Sequence, residues 1–313
     1  MSMAFVFPGQ GSQEVGMGKA LAEAYSAARE VFEEVDDALH QNLSKLMFEG
    51  PDDELRLTEN AQPALMSVSL AVIRVLAAED RFLLADRAAF VAGHSLGEYS
   101  ALAAAGAFAP ADTARLLKTR GQAMQRAVPV GEGAMAALLG LELDDAREVA
   151  AMAAESEVCA VANDNSPGQV VISGHAVAVE RAVDLARDKG AKRAVMLPVS
   201  APFHCALMAP AAEAMAEALD STPIDAPAPT LVANVTAESV ADPDTIRRLL
   251  VEQVTGAVRW RESVLYMKDR GVQMLVEAGS GKVLSGLARR IDRELGSRAI
   301  NGPDDVEDFL KSV

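Results

Sequence analysis

The sequence predicts an α/β fold: a parallel sheet flanked by helices, with a smaller βαββαβ unit inserted into it. Three observations carry this prediction. Short apolar runs alternate with helical patterns along most of the 313 residues. One run, residues 88–92, breaks into Gly93-His94-Ser95-Leu96-Gly97 before an alanine-rich helical pattern that reaches Gly106. Between residues 130 and 198 the spacing changes to strand, helix, two strands, helix and strand. The expected division is a discontinuous body of residues 1–128 and 199–313 around an inserted unit of residues 129–198. A chain of this length exceeds what one core usually organises, which agrees with two units.

Met3 to Phe7 reads as a first strand cut by Pro8-Gly9-Gln10-Gly11-Ser12-Gln13. Glycines at a strand end let backbone N–H groups come close to a ligand. Neither Gly9-Gln10-Gly11 nor Gly16-Met17-Gly18 continues into a dinucleotide fingerprint, because the sixth position is Glu14 in one case and Leu21 in the other. A nicotinamide site is therefore not expected. Helical patterns follow at 18–29 and 30–47, then an acidic loop at Pro51-Asp52-Asp53 and a helix within Thr58–Ala78, expected to start near Pro63.

The run at 88–92 delivers the chain to Ser95. Gly-x-Ser-x-Gly between a strand and a helix is the nucleophile-elbow pattern. The turn is so tight that side chains at Gly93 and Gly97 would collide, and the helix behind Ser95 offers free N–H groups to a developing oxyanion. A plain βα turn is the alternative at this point. Pro110-Ala111-Asp112-Thr113 starts the next helix. At 100° per residue it gathers Thr113, Leu116, Leu117 and Met124 on one side with Arg120 at their centre, while Arg115, Lys118, Gln122, Gln125 and Arg126 fall opposite. An arginine centred on an apolar stripe either snorkels or meets an anion, since an unpaired buried guanidinium is costly.

In the inserted unit the expected elements are a strand at 134–140, a helix opening at Asp144 or Asp145 and a strand at 158–162. A loop Asn163-Asp164-Asn165-Ser166-Pro167-Gly168 precedes a strand at 169–173, a helix at 176–188 and a strand at 193–198. The Pro-Gly turn suits a hairpin, and its asparagines could edge a cleft. The body resumes with Ser200-Ala201-Pro202-Phe203-His204-Cys205 and a helix to Leu219. A strand at 230–235, helices at 243–254 and 260–270, and a strand at 272–277 lead to Gly279-Ser280-Gly281-Lys282. This tetrapeptide is not a phosphate loop: Val276 stands where the first glycine is required and Val283 where Ser or Thr is required. It reads as a turn into a helix with a basic end, Arg289, Arg290 and Arg293.

Composition narrows the function. Half of the residues are hydrophobic, so burial is not limiting, and the formal net charge of −16 opposes a nucleic-acid surface. An acidic partner could dock only on a local basic patch, for which Lys282, Arg289, Arg290 and Arg293 are candidates, a solvated helix end being the plainer reading. Cys159 and Cys205 are too few for a disulfide scaffold and lack metal-ligand spacing, so no metal and a reducing compartment, the cytoplasm, are expected. With no basic stretch before the first apolar residues and no run approaching about 18 apolar residues, a soluble, unprocessed protein without membrane contact is expected.

A serine nucleophile needs a base, and the chain has four histidines, His40, His94, His175 and His204. His94 adjoins Ser95 in sequence, where neighbouring side chains diverge; His40 lies in a polar helix and His175 at a helix start. His204, just after the chain re-enters the body, is the favoured partner. Cys205 could in principle be a nucleophile, but no elbow presents it. A hydrolase triad would supply an acid between serine and histidine, yet Asp184 and Asp188 fall on a solvated face. A Ser-His dyad whose imidazole is oriented by a backbone or amide oxygen fits better.

Five ordered motifs carry a resemblance across essentially the whole chain: Phe7-Pro8-Gly9-Gln10-Gly11-Ser12-Gln13, Gly93-His94-Ser95-Leu96-Gly97-Glu98-Tyr99, Thr119-Arg120-Gly121, Asn165-Ser166-Pro167-Gly168-Gln169 and Pro202-Phe203-His204. Together they resemble the malonyl-CoA:acyl carrier protein transacylase family of type II fatty-acid synthesis. The resemblance implies an α/β-hydrolase-like body with a parallel sheet, an inserted ferredoxin-like subdomain, and an active site in the cleft between them. It implies Ser95 as nucleophile, His204 as base, the N–H groups of Gln10 and Leu96 as oxyanion hole, and Arg120 as the holder of a malonyl carboxylate. Phe203, Met124 and Asn165 would border the substrate, and Gln253, in Glu252-Gln253-Val254, would orient His204. In related acyltransferases a phenylalanine before this histidine goes with malonyl rather than α-methyl-branched substrates. No bound cofactor is implied: malonyl-CoA and a phosphopantetheinylated acyl carrier protein are substrates of a ping-pong exchange, and a monomer is expected. A serine hydrolase or thioesterase shares the elbow but needs no arginine on the acyl side. A catalytically silent module that binds carrier protein or malonyl-CoA is a rival of another class.

Overall fold

A computed structural model describes residues 2–80 and 82–312. Its first sheet holds β1 (Met3–Phe7) and β2 (Ala88–Gly93) at the centre. The second sheet is made of β3 (Gly133–Leu139), β4 (Cys159–Ser166), β5 (Gln169–His175) and β6 (Arg193–Met196). The chain then returns to the first sheet with β7 (Thr230–Val232), β8 (Ser239–Val240), β9 (Met274–Ala278) and β10 (Gly296–Ile300). The order is β10-β9-β1-β2-β7-β8, parallel throughout except for the β7–β8 pair. Strands of such a sheet are apolar on both faces, and β1 shows why: Phe5 and Phe7 enter one core, Ala4 and Val6 the other.

The first of these cores is the larger and is built on the helix Thr58–Asp80. That helix begins five residues before Pro63, which sits inside it rather than at its start. Its Thr58–Glu79 stretch is long and apolar enough by composition to cross a membrane, with a mean hydropathy of 1.6, and 78% of the window is buried inside the fold, as in a core helix. The other face of the sheet is covered by helices Trp260–Asp269 and Val283–Ile291, through Trp260, Val264, Leu284 and Leu287.

The second sheet has the order β4-β5-β3-β6, wholly antiparallel, with helices Leu143–Ala154 and Ala176–Asp188 closing a separate small core. The expected βαββαβ order is present. Two details differ. Asn163 to Ser166 belong to β4 and not to a loop, leaving Pro167-Gly168 as the whole turn. The strands β8 and β10, and the closing helix Pro303–Leu310, were not anticipated. Strand β4 of the second sheet is tied to the segment before helix Trp260–Asp269, where Val258 N donates to Ala162 O (2.8 Å) and Val258 O accepts from Asp164 N (2.9 Å), with Arg261 Nε on Asp164 Oδ2 at 3.0 Å.

Candidate active site

Ser95 stands between β2 and the helix Gly97–Ala104 with φ 54°, a left-handed backbone that non-glycine residues rarely adopt. Its two flanking glycines are obligatory. A Cβ on Gly93 would lie 1.9 Å from the backbone of Gly97, and one on Gly97 2.3 Å from Phe7 O. The strained turn is held from below by Asn234, whose Oδ1 accepts from Ser95 N (2.8 Å) while its Nδ2 donates to Gly93 O (2.6 Å).

His204, also left-handed at φ 59°, reaches Ser95 across 109 residues of sequence, Nε2 lying 2.7 Å from Oγ. Its Nδ1 faces two carbonyl oxygens, Gln253 O at 2.9 Å and Gly256 O at 3.0 Å. Carbonyls only accept, so Nδ1 carries the hydrogen and Nε2 offers its lone pair to the serine hydroxyl. Burial, and then the charge of Arg120, push the His204 imidazole down to about 3. It is therefore the neutral, proton-accepting form across the physiological range. A serine hydroxyl on a locked neutral imidazole can be deprotonated as it attacks a carbonyl.

Arg120 is 2% exposed and lies on the helix Pro110–Ala127, with Thr113, Leu116, Leu117 and Met124 buried beside it. Its Nη1 donates to Gln62 Oε1 (2.8 Å) and its Nη2 to Gln253 Oε1 (2.8 Å) and Ser95 Oγ (3.2 Å). The guanidinium carbon is 5.7 Å from the Tyr99 ring centroid, while Arg120 Nε and the Tyr99 hydroxyl are buried without a hydrogen-bond partner among the described residues. Its hydrogen-bond partners are all neutral. Such a guanidinium keeps donor capacity for an anion arriving beside Ser95.

Ser95, His204, Arg120 and Gln62 line a cavity of about 290 Å³. Gln10 and Leu96 are in its wall, and their N–H groups make no hydrogen bond among the described residues, whereas that of Ser95 is taken by Asn234. Thr58 Oγ1 donates to Gln10 Oε1 (3.0 Å) and accepts from Gln62 Nε2 (2.9 Å), tying the first loop to the partner of Arg120. Met124, Phe203, Met135 and Leu197 supply apolar wall, and Arg56 reaches the same cavity.

One expected assignment changes. Asn165 does not line this cavity; its Oδ1 meets His94 Nε2 at 2.8 Å, and Asn163 lines the wall in its place. Irregular register on β4 at 161–163 and 164–166 re-aims these side chains. Gln253 meets His204 through its backbone carbonyl, while its side chain joins Arg120, Ser95 O (2.9 Å) and Glu98 (2.7 Å). Cys205 is buried, with Sγ on Pro202 O, and does not line the cavity. Lys282, Arg289, Arg290 and Arg293 are exposed and away from it. Gln62, Asn234 and Glu98 were not singled out from sequence. Among the described residues no cluster of His, Cys, Asp or Glu side chains is placed to hold a metal.

The model of a family described as the acyl transferase domain matches residues 4–290. The malonyl CoA-acyl carrier protein transacylase of Bacillus subtilis is 46% identical over 99% of this chain and 97% of its own. That of Escherichia coli K12 is 47% identical over 96% of both. Among solved structures, the acyl-carrier-protein-S-malonyltransferase from Bartonella henselae superposes with a TM-score of 0.97 at 57% identity, covering 100% of this chain and 99% of that one. A malonyl-transacylase solved in complex with its type II PKS acyl-carrier protein gives a TM-score of 0.96 at 40% identity, covering 100% of both chains.

Proposed function

Because the chain belongs to the malonyl CoA-acyl carrier protein transacylases within the acyl transferase domain family and is an acyltransferase, we propose that it moves a malonyl group from malonyl-CoA to the phosphopantetheine thiol of an acyl carrier protein, through a malonyl ester on Ser95. The observation that carries this reading is a buried guanidinium 3.2 Å from the hydroxyl of a base-paired serine.

As Ser95 Oγ attacks the thioester carbon, its proton passes to His204 Nε2. The oxyanion that forms meets the free N–H groups of Gln10 and Leu96, each donor worth about 3 kcal/mol in such a site. Collapse breaks the C–S bond, and the leaving coenzyme A sulfur takes the proton from His204. In the second half, the carrier thiol gives its proton to His204 and attacks the ester carbon; the C–O bond to Ser95 breaks and the proton returns to Oγ. Both halves use one base and one oxyanion site, which is the logic of a ping-pong exchange.

Arg120 holds the malonyl carboxylate. An acetyl group would leave the guanidinium buried without an anion, and the loss of one partner of such a pair costs about 3–5 kcal/mol. Phe203 and Met124 narrow the acyl pocket against branched substrates, and the Gln253 carbonyl holds the His204 tautomer. Asn163, in the cavity wall, is placed to meet the amides of the pantetheine arm. We further propose that residues 1–128 and 199–313 form an α/β-hydrolase-like body, that residues 129–198 form a subdomain covering its cleft, and that the enzyme works as a cytoplasmic monomer in fatty-acid synthesis without a bound cofactor. Mixing the protein, malonyl-CoA and a phosphopantetheinylated carrier tests this reading by intact mass. A malonyl thioester on the carrier, absent with carrier lacking the arm, is expected; hydrolysis to malonate alone would make the protein a thioesterase.

A further inference from the structure

Glu98 is used by none of these steps, yet it is 1% exposed and lies on the helix that starts at the elbow. A buried carboxyl is costly unless it is paired. Its Oε2 accepts from Gln253 Nε2 (2.7 Å) and Asn234 N (3.2 Å), and the far end of the same Gln253 amide, Oε1, accepts from Arg120 Nη2 (2.8 Å). The order in space is thus guanidinium, amide, carboxyl. Among the described residues Arg120 otherwise meets only the neutral groups Gln62, Ser95 and Tyr99, and Glu98 is the carboxyl whose charge acts on it.

We propose that Glu98 is the resident counter-ion of Arg120, held one amide away so that the empty site keeps a charged, aimed guanidinium whose donors stay open to an incoming carboxylate. A direct Glu-Arg pair would occupy those donors. With the amide between them, the two charges still attract each other, while the Gln253 oxygen takes one Nη2 hydrogen and the other rests on neutral Ser95 Oγ at 3.2 Å, where an arriving carboxylate can replace it. The arrangement has a thermodynamic consequence. A carboxylate that binds Arg120 arrives beside a second negative charge, so Glu98 opposes malonyl binding and leaves acetyl binding untouched. This inference rests on the carboxylate-clamp reading of Arg120.

The other titratable groups around Glu98 do not confuse the test. Burial pushes the His204 imidazole down to about 3, so it is neutral from pH 6 to pH 8; burial also lowers His94 and raises Tyr99, which stays un-ionised. Burial also pushes the Glu98 carboxyl up to about 7, so it is mostly ionised at pH 8 and mostly neutral at pH 6. Glutamine at this position mimics the neutral form.

The experiment measures binding of malonyl-CoA and acetyl-CoA by calorimetry in a Ser95→Ala background, which prevents turnover, with and without Glu98→Gln. At pH 8, Glu98→Gln is expected to raise the malonyl-to-acetyl affinity ratio about tenfold, within the range of coupling between neighbouring sites. With Glu98 intact, the ratio is expected to rise between pH 8 and pH 6; with Glu98→Gln it is expected to stay flat. The coenzyme A phosphates titrate in both ligands and cancel in the ratio. A ratio that is unchanged or lowered by Glu98→Gln, or equal weakening of both ligands, overturns the counter-ion role in favour of a structural one. If Glu98→Gln does not fold, the pH arm alone decides, and a flat ratio there overturns the proposal. Equal affinity for the two ligands with Glu98 intact would instead overturn the clamp reading of Arg120, a different outcome from failure at Glu98.

Discussion

Two corners of the parallel sheet are built alike and put to different use. At the first, β2 turns through Ser95 into the helix Gly97–Ala104; at the second, β9 turns through Gly279–Lys282 into the helix Val283–Ile291. The two strands flank β1 on either side. Both turns need left-handed backbone, supplied by glycine at the second (Gly279 φ 132°, Gly281 φ 81°) and by a strained serine at the first (φ 54°). The second corner satisfies its own helix start: the Glu277 carboxylate accepts from Leu284 N (3.0 Å) and Ser285 N (2.7 Å). At the first, the Leu96 N–H is left without a protein acceptor among the described residues, and the nearest carboxyl, Glu98, is turned away to Gln253 and Asn234. A helix start becomes an anion site only where the chain withholds its own carboxylate.

The largest way to break this contrast is at the first corner's backbone. Gly97→Ala puts a methyl group 2.3 Å from Phe7 O, where backbone cannot yield, and is expected to cost more than about 4 kcal/mol, read as loss of the cooperative unfolding transition. Next comes the charge that gives this corner its cargo. Arg120→Ala is expected to lower the kcat/KM ratio of malonyl to acetyl transfer about 10² to 10³-fold, the equivalent of a broken buried pair. An unchanged ratio would refute the clamp.

A third effect separates the buried acid and base of the first corner. Glu98 titrates higher in the fold (about 7) than the ordinary 4.5, so its burial costs stability as pH rises from 4.5 to 7. His204 titrates lower (about 3) than the ordinary 6.5, so it costs stability as pH falls from 6.5 toward 3, where the unfolded chain takes up a proton the fold refuses. The two oppose each other between pH 5 and 7. Glu98→Gln removes one side, and its stability is expected to fall about 2 kcal/mol further than that of the parent from pH 7 to pH 5 in urea titrations. Parallel curves would contradict the raised carboxyl. The smallest effect belongs to the second corner: Glu277→Gln replaces one accepting oxygen by a donor against Leu284 N or Ser285 N and is expected to cost about 1–2 kcal/mol without changing transfer rates.

The sequence displayed the groups that stand out against their surroundings. Ser95 is announced by two glycines with no room for side chains, and Arg120 by its place on an apolar stripe. The polar partners that hold them carry no local signature. Gln62 is 58 residues from Arg120, Asn234 is 139 from Ser95, and Gln253 is 155 from Glu98, so only the fold brings them together. Strand β10, Gly296-Ser-Arg-Ala-Ile, was missed because it lies at the edge of the sheet and is only partly buried, which frees it from the apolar run that marks β1. Asn163 to Ser166 looked like a loop because four consecutive polar residues imitate one, although all four are buried in the strand.

The most direct test of the central claim, that the first corner carries an acyl group on its serine, is peptide mass spectrometry after brief incubation with malonyl-CoA. A malonyl ester on the Ser95 peptide is expected, absent in Ser95→Ala and discharged by phosphopantetheinylated carrier protein. Malonyl-CoA binding with no adduct at Ser95 in the unaltered protein would contradict the account.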